Sequence, residues 1–391
     1  MNREPIEKKR KSIEKKRKSI SITITERCNL NCVYCYEHNK DLAILPIDTI
    51  KDFLIRETSN LVDFEEFEVD FHGGEPLMAF PQLKEVAEWI WSRDWPKPYI
   101  CFATTNGTLV HGEIKEWFKK NSKRFWLGLS LDGTKEMHDM NRSNSYDDID
   151  FAFFRETWPT QGVKATVSPL SIHHFADGVK HIIELGFPYS INLAYGMEWT
   201  DELLPVYRRE LKKVADFYLE NPELEIPKWI YGPIARIGSN SLRKPEEKET
   251  SKWCGTGTGM ICLGPDGKTY PCHAFMPSCE AKEGYEVKNV IDFNNDTNFR
   301  DPACSDCVLE MGCPSCYGNN YIRTGTVYTR DKTFCKFRKI EAVAASYLYG
   351  MMMQDPHKYH AISNLEPSRK LSVLEGIKIV QENLADEVEN Y

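Results

Sequence analysis

Thirteen cysteines in 391 residues fall into two groups. Cys28, Cys32 and Cys35 lie close together in "TERCNLNCVYCYE", nine more run from Cys254 to Cys335, and Cys101 stands alone between them. No signal peptide is expected, because the basic residues at the N-terminus precede no apolar segment. Without export, metal binding or catalysis is a better reading of so many thiols than a disulfide framework. The spacing i, i+4, i+7 of the first group also suits one face of a buried helix, and cysteine is a common core residue. Asn29 and Asn31 favour a loop instead. Three thiolates from one short loop can hold three irons of a four-iron cluster, leaving one iron for a small molecule, whereas ferredoxin-type clusters take four cysteines. In the second group, Cys304-x2-Cys307-x5-Cys313-x2-Cys316 suits either an iron–sulfur site or a zinc ribbon.

Short strands and helices alternate from residue 20, and they must position these thiols. "SISITIT" (19–25), "FEVDFHGG" (67–74), "YICFATTNG" (99–107), "RFWLGLSLDG" (124–133), "VKATVSP" (163–169) and "YSINLAYG" (189–196) read as strands. Helical periodicity follows each, with Gly and Asn-Gly or Asp-Gly turns between. Six β–α units imply a parallel sheet with right-handed crossovers, either an open doubly wound sheet or a partial barrel. Chemistry then belongs at the C-terminal strand ends. Cys28–Cys35, Gly73–Pro76, Thr105–Gly107 and Ser130–Gly133 all fall there. Residues 221–250 read as a connection. Residues 254–335 show little periodicity and need metal to stabilise them. Two closing helices are expected at 336–354 and 368–386.

Cys-x3-Cys-x2-Cys with Tyr34 before the last cysteine resembles the radical S-adenosylmethionine (SAM) enzymes. "HGGEP" (His72–Pro76) resembles that family's loop after strand two, "TTNGT" (Thr104–Thr108) the polar loop after strand three, and "SLDG" (Ser130–Gly133) the segment after strand four. Four motifs in order at strand ends make chance agreement improbable. The resemblance implies a partial (β/α)6 TIM-like barrel in which Cys28, Cys32 and Cys35 hold a SAM-binding [4Fe-4S] cluster. It also implies SAM contacts from Tyr34, Gly73, Gly74, Glu75, Pro76, Thr105, Asn106, Ser130, Asp132 and Lys164. The second cysteine group resembles the SPASM extension, which binds two auxiliary clusters, although "CPSC" has one residue fewer than that pattern's usual spacing. By resemblance Cys304, Cys307, Cys313 and Cys335 hold the outer cluster, and Cys254, Cys272 and Cys316 the inner. The inner fourth ligand is Cys262, Cys279 or an open position. Expected domains are a basic segment 1–19, a radical SAM core 20–235, a linker 236–253, the auxiliary-cluster domain 254–340 and C-terminal helices 341–391.

The resemblance further implies a peptide or protein substrate, most closely that of maturases forming thioether or carbon–carbon crosslinks in ribosomally made peptides. Sulfatase maturases, which oxidise Cys or Ser to formylglycine, are the alternative. They carry an acid after the "YPC" cysteine, where this chain has His273. His273 is a candidate acid/base, as is Asp139; a helix cap with a salt link to Arg142 is the plainer reading of Asp139. Flavodoxin or ferredoxin is the expected electron donor. Only about 20 residues precede the core, so leader recognition is expected from a separate protein or the C-terminal helices. A zinc-binding interaction protein is the alternative of another class. Residues 1–20 carry a charge of +6 and contain a tandem "IEKKRKS", leaving −14 for the remainder, so nucleic acid is a poor general partner. Absence of a long apolar run argues against a membrane span, and a cytoplasmic location is expected.

Overall fold

A computed structural model describes residues 16–38, 40, 43–244, 252–279, 292–389 and 391. Most of the tandem basic repeat lies outside them. Strand β1 (Arg17–Thr25) alternates as expected and is followed by helix α1 (Ile47–Thr58). Then come β2 (Glu66–Gly73), α2 (Phe80–Trp91), β3 (Tyr99–Thr105), α3 (Gly112–Asn121) and β4 (Phe125–Leu129). Next are α4 (Lys135–Asn141), α5 (Phe151–Thr157), β5 (Val163–Val167), α6 (Phe175–Glu184), β6 (Tyr189–Leu193) and α7 (Leu203–Glu220). β1 to β4 pair in parallel in sequence order, and β5 pairs in parallel with β6. A bridge from Ser130 to Lys164 joins the two sheets. The six expected strands therefore form a continuous curved wall with the connectivity of a partial barrel.

Alternation along β2 shows how the wall is built. Phe67, Val69 and Phe71 are fully buried in the core with residues such as Ile20, Ile22, Phe53 and Leu83. Glu68, Asp70 and His72 alternate with them and so face the concave side. β1 begins at Arg17, inside the expected basic segment, because Arg17 pairs with Glu66 and Glu68 and Lys18 with Glu57.

Two elements depart from the sequence reading. Strand β7 (Met260–Leu263), in the cysteine-rich region, pairs in parallel with the free edge of β1 and carries the short antiparallel β8 (Thr269–Tyr270). The expected connection after residue 221 contains helix α8 (Lys228–Ser241), despite Pro233 within it. Beyond these lie α9 (Tyr317–Thr324), α10 (Cys335–Met353), α11 (His360–Ser363) and α12 (Pro367–Asn383). α8 and α12 cross at two glycines: a Cβ on Gly238 would lie 1.9 Å from Ser372 O, and one on Gly376 2.1 Å from Ile234 O. The cysteine-rich region also has a small core of its own, including Tyr270, Phe275, Met276, Phe299, Tyr317 and Tyr321. Among the described residues, no helix is long and apolar enough to cross a membrane.

Candidate active site

The cysteine segment after β1 is an irregular loop from Glu26 to His38 with no helix in it, so the one-face-of-a-helix reading falls. Its thiols are free and half-buried. Burial raises the Cys28 thiol to about 11, although the Leu30 N–H opposes that shift. Burial also raises Cys32, opposed by the Arg142 guanidinium. Binding to iron would remove these protons, because the thiolate is the ligand. Among the described residues no three His, Cys, Asp or Glu side chains are close enough to chelate a single ion.

Two buried carboxylates fasten the neighbouring loops to this one. Glu75 is 1% exposed. Its oxygens accept from Leu77 N (3.1 Å), Thr105 Oγ1 (2.8 Å) and Asn106 N (2.8 Å). Burial lifts its carboxyl to about 7 against those hydrogen bonds. Asn106 Nδ2 donates to Asn29 Oδ1, and Asn29 Nδ2 donates to Thr108 Oγ1, so the loop after β3 reaches the cysteine loop directly. The glycines before Glu75 permit close contact. A Cβ on Gly73 would lie 2.3 Å from Thr25 O, and one on Gly74 2.6 Å from both Glu26 O and Arg27 O. Pro76 starts the short turn behind them.

Asp132 is the second fastener. The Tyr34 hydroxyl donates to its Oδ2, Asn141 Nδ2 donates to the same oxygen at 3.2 Å, and Thr166 N donates to Oδ1 at 2.9 Å. Arg142 Nε lies 3.0 Å from Oδ2, and its guanidinium sits over the Tyr34 ring. Ser130 is buried and bonds through its backbone to Thr105 O. Lys164 reaches Thr104 Oγ1 at 3.3 Å. Its charge also bears on Asp70, His72 and His273, which puts its amine near the concave interior. Tyr34, Glu75, Thr105, Asn106, Ser130, Asp132 and Lys164 thus come from five segments to one sheet edge. Asp139 does not join them. Its carboxylate accepts from Lys135 Nζ at 2.7 Å and caps Tyr146 N at 3.0 Å, while Arg142 pairs with Asp132 instead.

His273 does meet the site. Its ring stacks on His72, with centroids 4.3 Å apart and an 11° tilt, and Tyr36 lies 5.8 Å away. The Tyr36 hydroxyl is 3.1 Å from His72 Nε2. Burial, aided by the Lys164 charge, depresses His273 to about 4. Among the described residues, both oxygens of buried Glu37 and His72 Nδ1 have no hydrogen-bond partner, and the two groups lie 3.9 Å apart at their closest. Burial raises Glu37 to about 7. Asp70 is likewise raised by burial, to about 6, with Lys164 opposing. Tyr36, Glu37 and Asp70 escaped the sequence reading and His72 entered it only as the first residue of "HGGEP", although the alternation in "FEVDFH" marks Asp70 and His72 as interior.

The second cysteine group divides in space. Cys304, Cys307, Cys313, Cys316 and Cys335 line one cavity with Tyr195. Lys332 Nζ lies 3.2 Å from Cys304 Sγ, and Arg330 Nη1 donates to Cys313 O. Burial pushes Cys272 up to about 12, opposed by Thr256 and reinforced by Cys316 and Cys254. Cys316 therefore stands between the two sets. Cys262 lies elsewhere, 3.6 Å from Thr23 Oγ1 and 4.0 Å from Met276 Sδ. Cys279 donates to His273 O at 3.2 Å, on the side of the histidine pair.

Residues 22–208 match the model of the radical SAM superfamily. A cysteine-type anaerobic sulfatase-maturating enzyme of Clostridium perfringens strain 13 is 30% identical over 128 residues, 30% of this chain and 33% of that one. The antilisterial bacteriocin subtilosin biosynthesis protein AlbA of Bacillus subtilis strain 168 is 24% identical over 294 residues, 71% of this chain and 58% of that one. The chain thus spans between 33% and 58% of the length of these curated relatives. The solved structure of native anSMEcpe with bound AdoMet and Cp18Cys peptide shares the fold. Its TM-score is 0.62 at 17% identity, covering 86% of this chain and 99% of that one.

Proposed function

Starting from a radical SAM domain at residues 22–208, we infer that the protein is an enzyme that cleaves SAM reductively and modifies a peptide with the resulting radical. Cys28, Cys32 and Cys35 would hold the [4Fe-4S] cluster. When bound, such a cluster would supply the electron for reductive cleavage of SAM to methionine and a 5′-deoxyadenosyl radical able to abstract a substrate hydrogen. The observation that carries this reading is the fastening of the loops after β1, β2, β3 and β4 to one another, and to β5 at Thr166, through Glu75 and Asp132.

The residues divide the remaining work. Gly73 and Gly74 bring the backbone close to the cysteine loop. Glu75 and Asp132 hold the loops rigid, and such preorganisation keeps reacting groups aligned. Lys164 offers a cation to a carboxylate, the group SAM presents. His273, kept neutral by burial, takes a proton at a ring nitrogen as a bond forms. Cys304, Cys307, Cys313 and Cys335 would hold one auxiliary cluster, and Cys254, Cys272 and Cys316 another, available to receive the electron left on the substrate. A flavodoxin or ferredoxin supplies the reducing electron.

The product is most simply a thioether or carbon–carbon crosslink in a ribosomally made peptide. AlbA, a bacteriocin biosynthesis protein, supports that reading. The sulfatase-maturating relative supports oxidation of Cys or Ser to formylglycine as the second reading. Mass spectrometry of a candidate precursor incubated with reduced protein and SAM separates them. A crosslink removes two hydrogens and keeps sulfur, formylglycine formed from Cys loses sulfur, and formylglycine formed from Ser, which also removes two hydrogens, is told apart by its free aldehyde reacting with a hydrazine. An unmodified peptide beside abundant 5′-deoxyadenosine excludes that peptide as substrate.

A further inference from the structure

The cavity among the second cysteine group holds more than thiols. Cys304, Cys307, Cys313 and Cys335 share its lining with Arg330, Arg338 and Tyr195. Tyr195 stands two positions beyond the end of β6 at Leu193, which puts the cavity beside the C-terminal strand ends. Two buried donors there are idle. Among the described residues, Arg330 Nε and Arg338 Nε have no hydrogen-bond partner. Unpaired buried donors are rare in native folds, and each one asks for a partner.

Other bonds hold each cation in place without exhausting its donors. Lys332 Nζ lies 3.2 Å from Cys304 Sγ and 2.7 Å from Asp301 Oδ2. Asp301 is 3% exposed and also accepts from Arg330 N (2.9 Å) and Ala303 N (2.9 Å). One carboxylate thus pins the Arg330–Lys332 segment to the turn at Cys304. Arg330 Nη1 donates to Cys313 O at 3.2 Å, and its Nη2 to Glu310 O at 3.3 Å. The acids of the lining are engaged by other groups. Arg300 binds both oxygens of Glu310 at 2.7 Å, and Asp331 caps Thr333 N and lies 3.7 Å from Arg323. Arg338 Nη1 bonds both oxygens of Glu341. The charges of Arg330 and Arg338 both bear on the Cys313 thiol.

We propose that Arg330, Lys332 and Arg338 raise the reduction potential of the outer iron–sulfur cluster by presenting N–H donors to its sulfur. Reduction adds one negative charge to such a cluster. Cationic donors at sulfur stabilise that charge, and hydrogen bonds to sulfur are one means by which a protein sets a cluster's potential. A raised potential suits this cluster to take the electron left on the substrate. The assignment rests on the reading of Cys304, Cys307, Cys313 and Cys335 as ligands of an auxiliary cluster, and adds which residues set its affinity for an electron.

The test is a dye-mediated redox titration of the anaerobically reconstituted full chain, followed by electron paramagnetic resonance. Cys307→Ala identifies the outer wave by removing it together with about four irons. Lys332→Met is expected to move that wave to lower potential by at least about tenfold in electron affinity, or about 59 mV for one electron. Arg330→Met/Lys332→Met is expected to move it further. Arg338→Lys keeps a cation for Glu341 but loses Nε, and is expected to move it the same way. Lys332→Arg keeps a cationic donor and is expected to leave it in place. The other waves stay where they are in all four. The Lys332 side chain is 47% exposed, so Lys332→Met alone reads the effect even where the double variant loses iron. An outer wave unmoved in Lys332→Met or in Arg338→Lys overturns the assignment, as does an equal shift in Lys332→Arg. A wild type with about four irons and one wave removes the auxiliary-cluster reading with it; about twelve irons with an unmoved outer wave removes this assignment alone.

Discussion

The rings of His72 and His273 lie face to face, 4.3 Å between centroids, although 201 positions separate them in the chain. One stands at the end of β2 and the other beside Cys272, so the stack joins the barrel wall to the cysteine-rich region. His273→Ala is expected to keep reductive SAM cleavage and to lower peptide modification by about 100-fold or more, the usual range for loss of a proton-transfer group. His72→Phe keeps a ring to stack on and is expected to cost less than about tenfold. Parallel assays of 5′-deoxyadenosine and modified peptide check both. Equal losses of the two products in His273→Ala would assign the residue to the fold rather than to proton transfer.

Asp132 compensates a buried arginine. Arg142 Nε lies 3.0 Å from it, and that carboxylate side chain is 0% exposed. Asp132→Asn leaves the guanidinium buried without its counter-charge, a change worth about 3–5 kcal/mol in comparable pairs. Urea unfolding of the anaerobic protein is expected to show that loss, together with weaker retention of iron at Cys28, Cys32 and Cys35, because Tyr34 on the same loop loses its acceptor.

Asp70 sets a pH dependence. Burial raises its carboxyl from 3.8 to about 6 in the folded chain. The folded state therefore binds its proton more tightly than the unfolded state. Stability from this group is fully present below pH 3.8 and declines as pH rises towards about 6. Asp70→Asn is expected to match wild type near pH 4 and to exceed it near pH 7 by about 2–3 kcal/mol, following 1.36 kcal/mol per pKa unit. Thermal unfolding of both proteins at the two pH values reads the difference.

Gly376 allows α12 to touch α8, since a Cβ there would stand 2.1 Å from Ile234 O. Gly376→Leu must push the helices apart. Overpacking of this kind costs about 1–3 kcal/mol. Increased amide hydrogen exchange is expected along residues 228–241 and 367–383, with β1 to β4 unaffected.

Much of this was legible in the chain because it is local. Period-two alternation gave the six strands, and Gly and Asn-Gly punctuation put the reactive loops at their ends. What escaped depends on distant partners. β7 becomes a strand through pairing with β1, some 240 positions earlier. α8 hides behind Pro233, and its glycines make sense only once α12 crosses them. Asp139 looked available because Lys135 and the Tyr146 amide, which occupy it, are unremarkable in sequence. His72 and Glu37 matter through His273 and Cys279, which the fold alone brings near.

The most direct measurement is 5′-deoxyadenosine formation from SAM by the anaerobically reconstituted, dithionite-reduced chain, with iron and acid-labile sulfide determined on the same sample. Wild type is expected to form it and to bind about twelve irons, four for each of three clusters. Cys32→Ala is expected to form none and to lose about four irons. Zinc without sulfide in wild type, or undiminished 5′-deoxyadenosine in Cys32→Ala, would contradict a SAM-binding cluster at Cys28, Cys32 and Cys35.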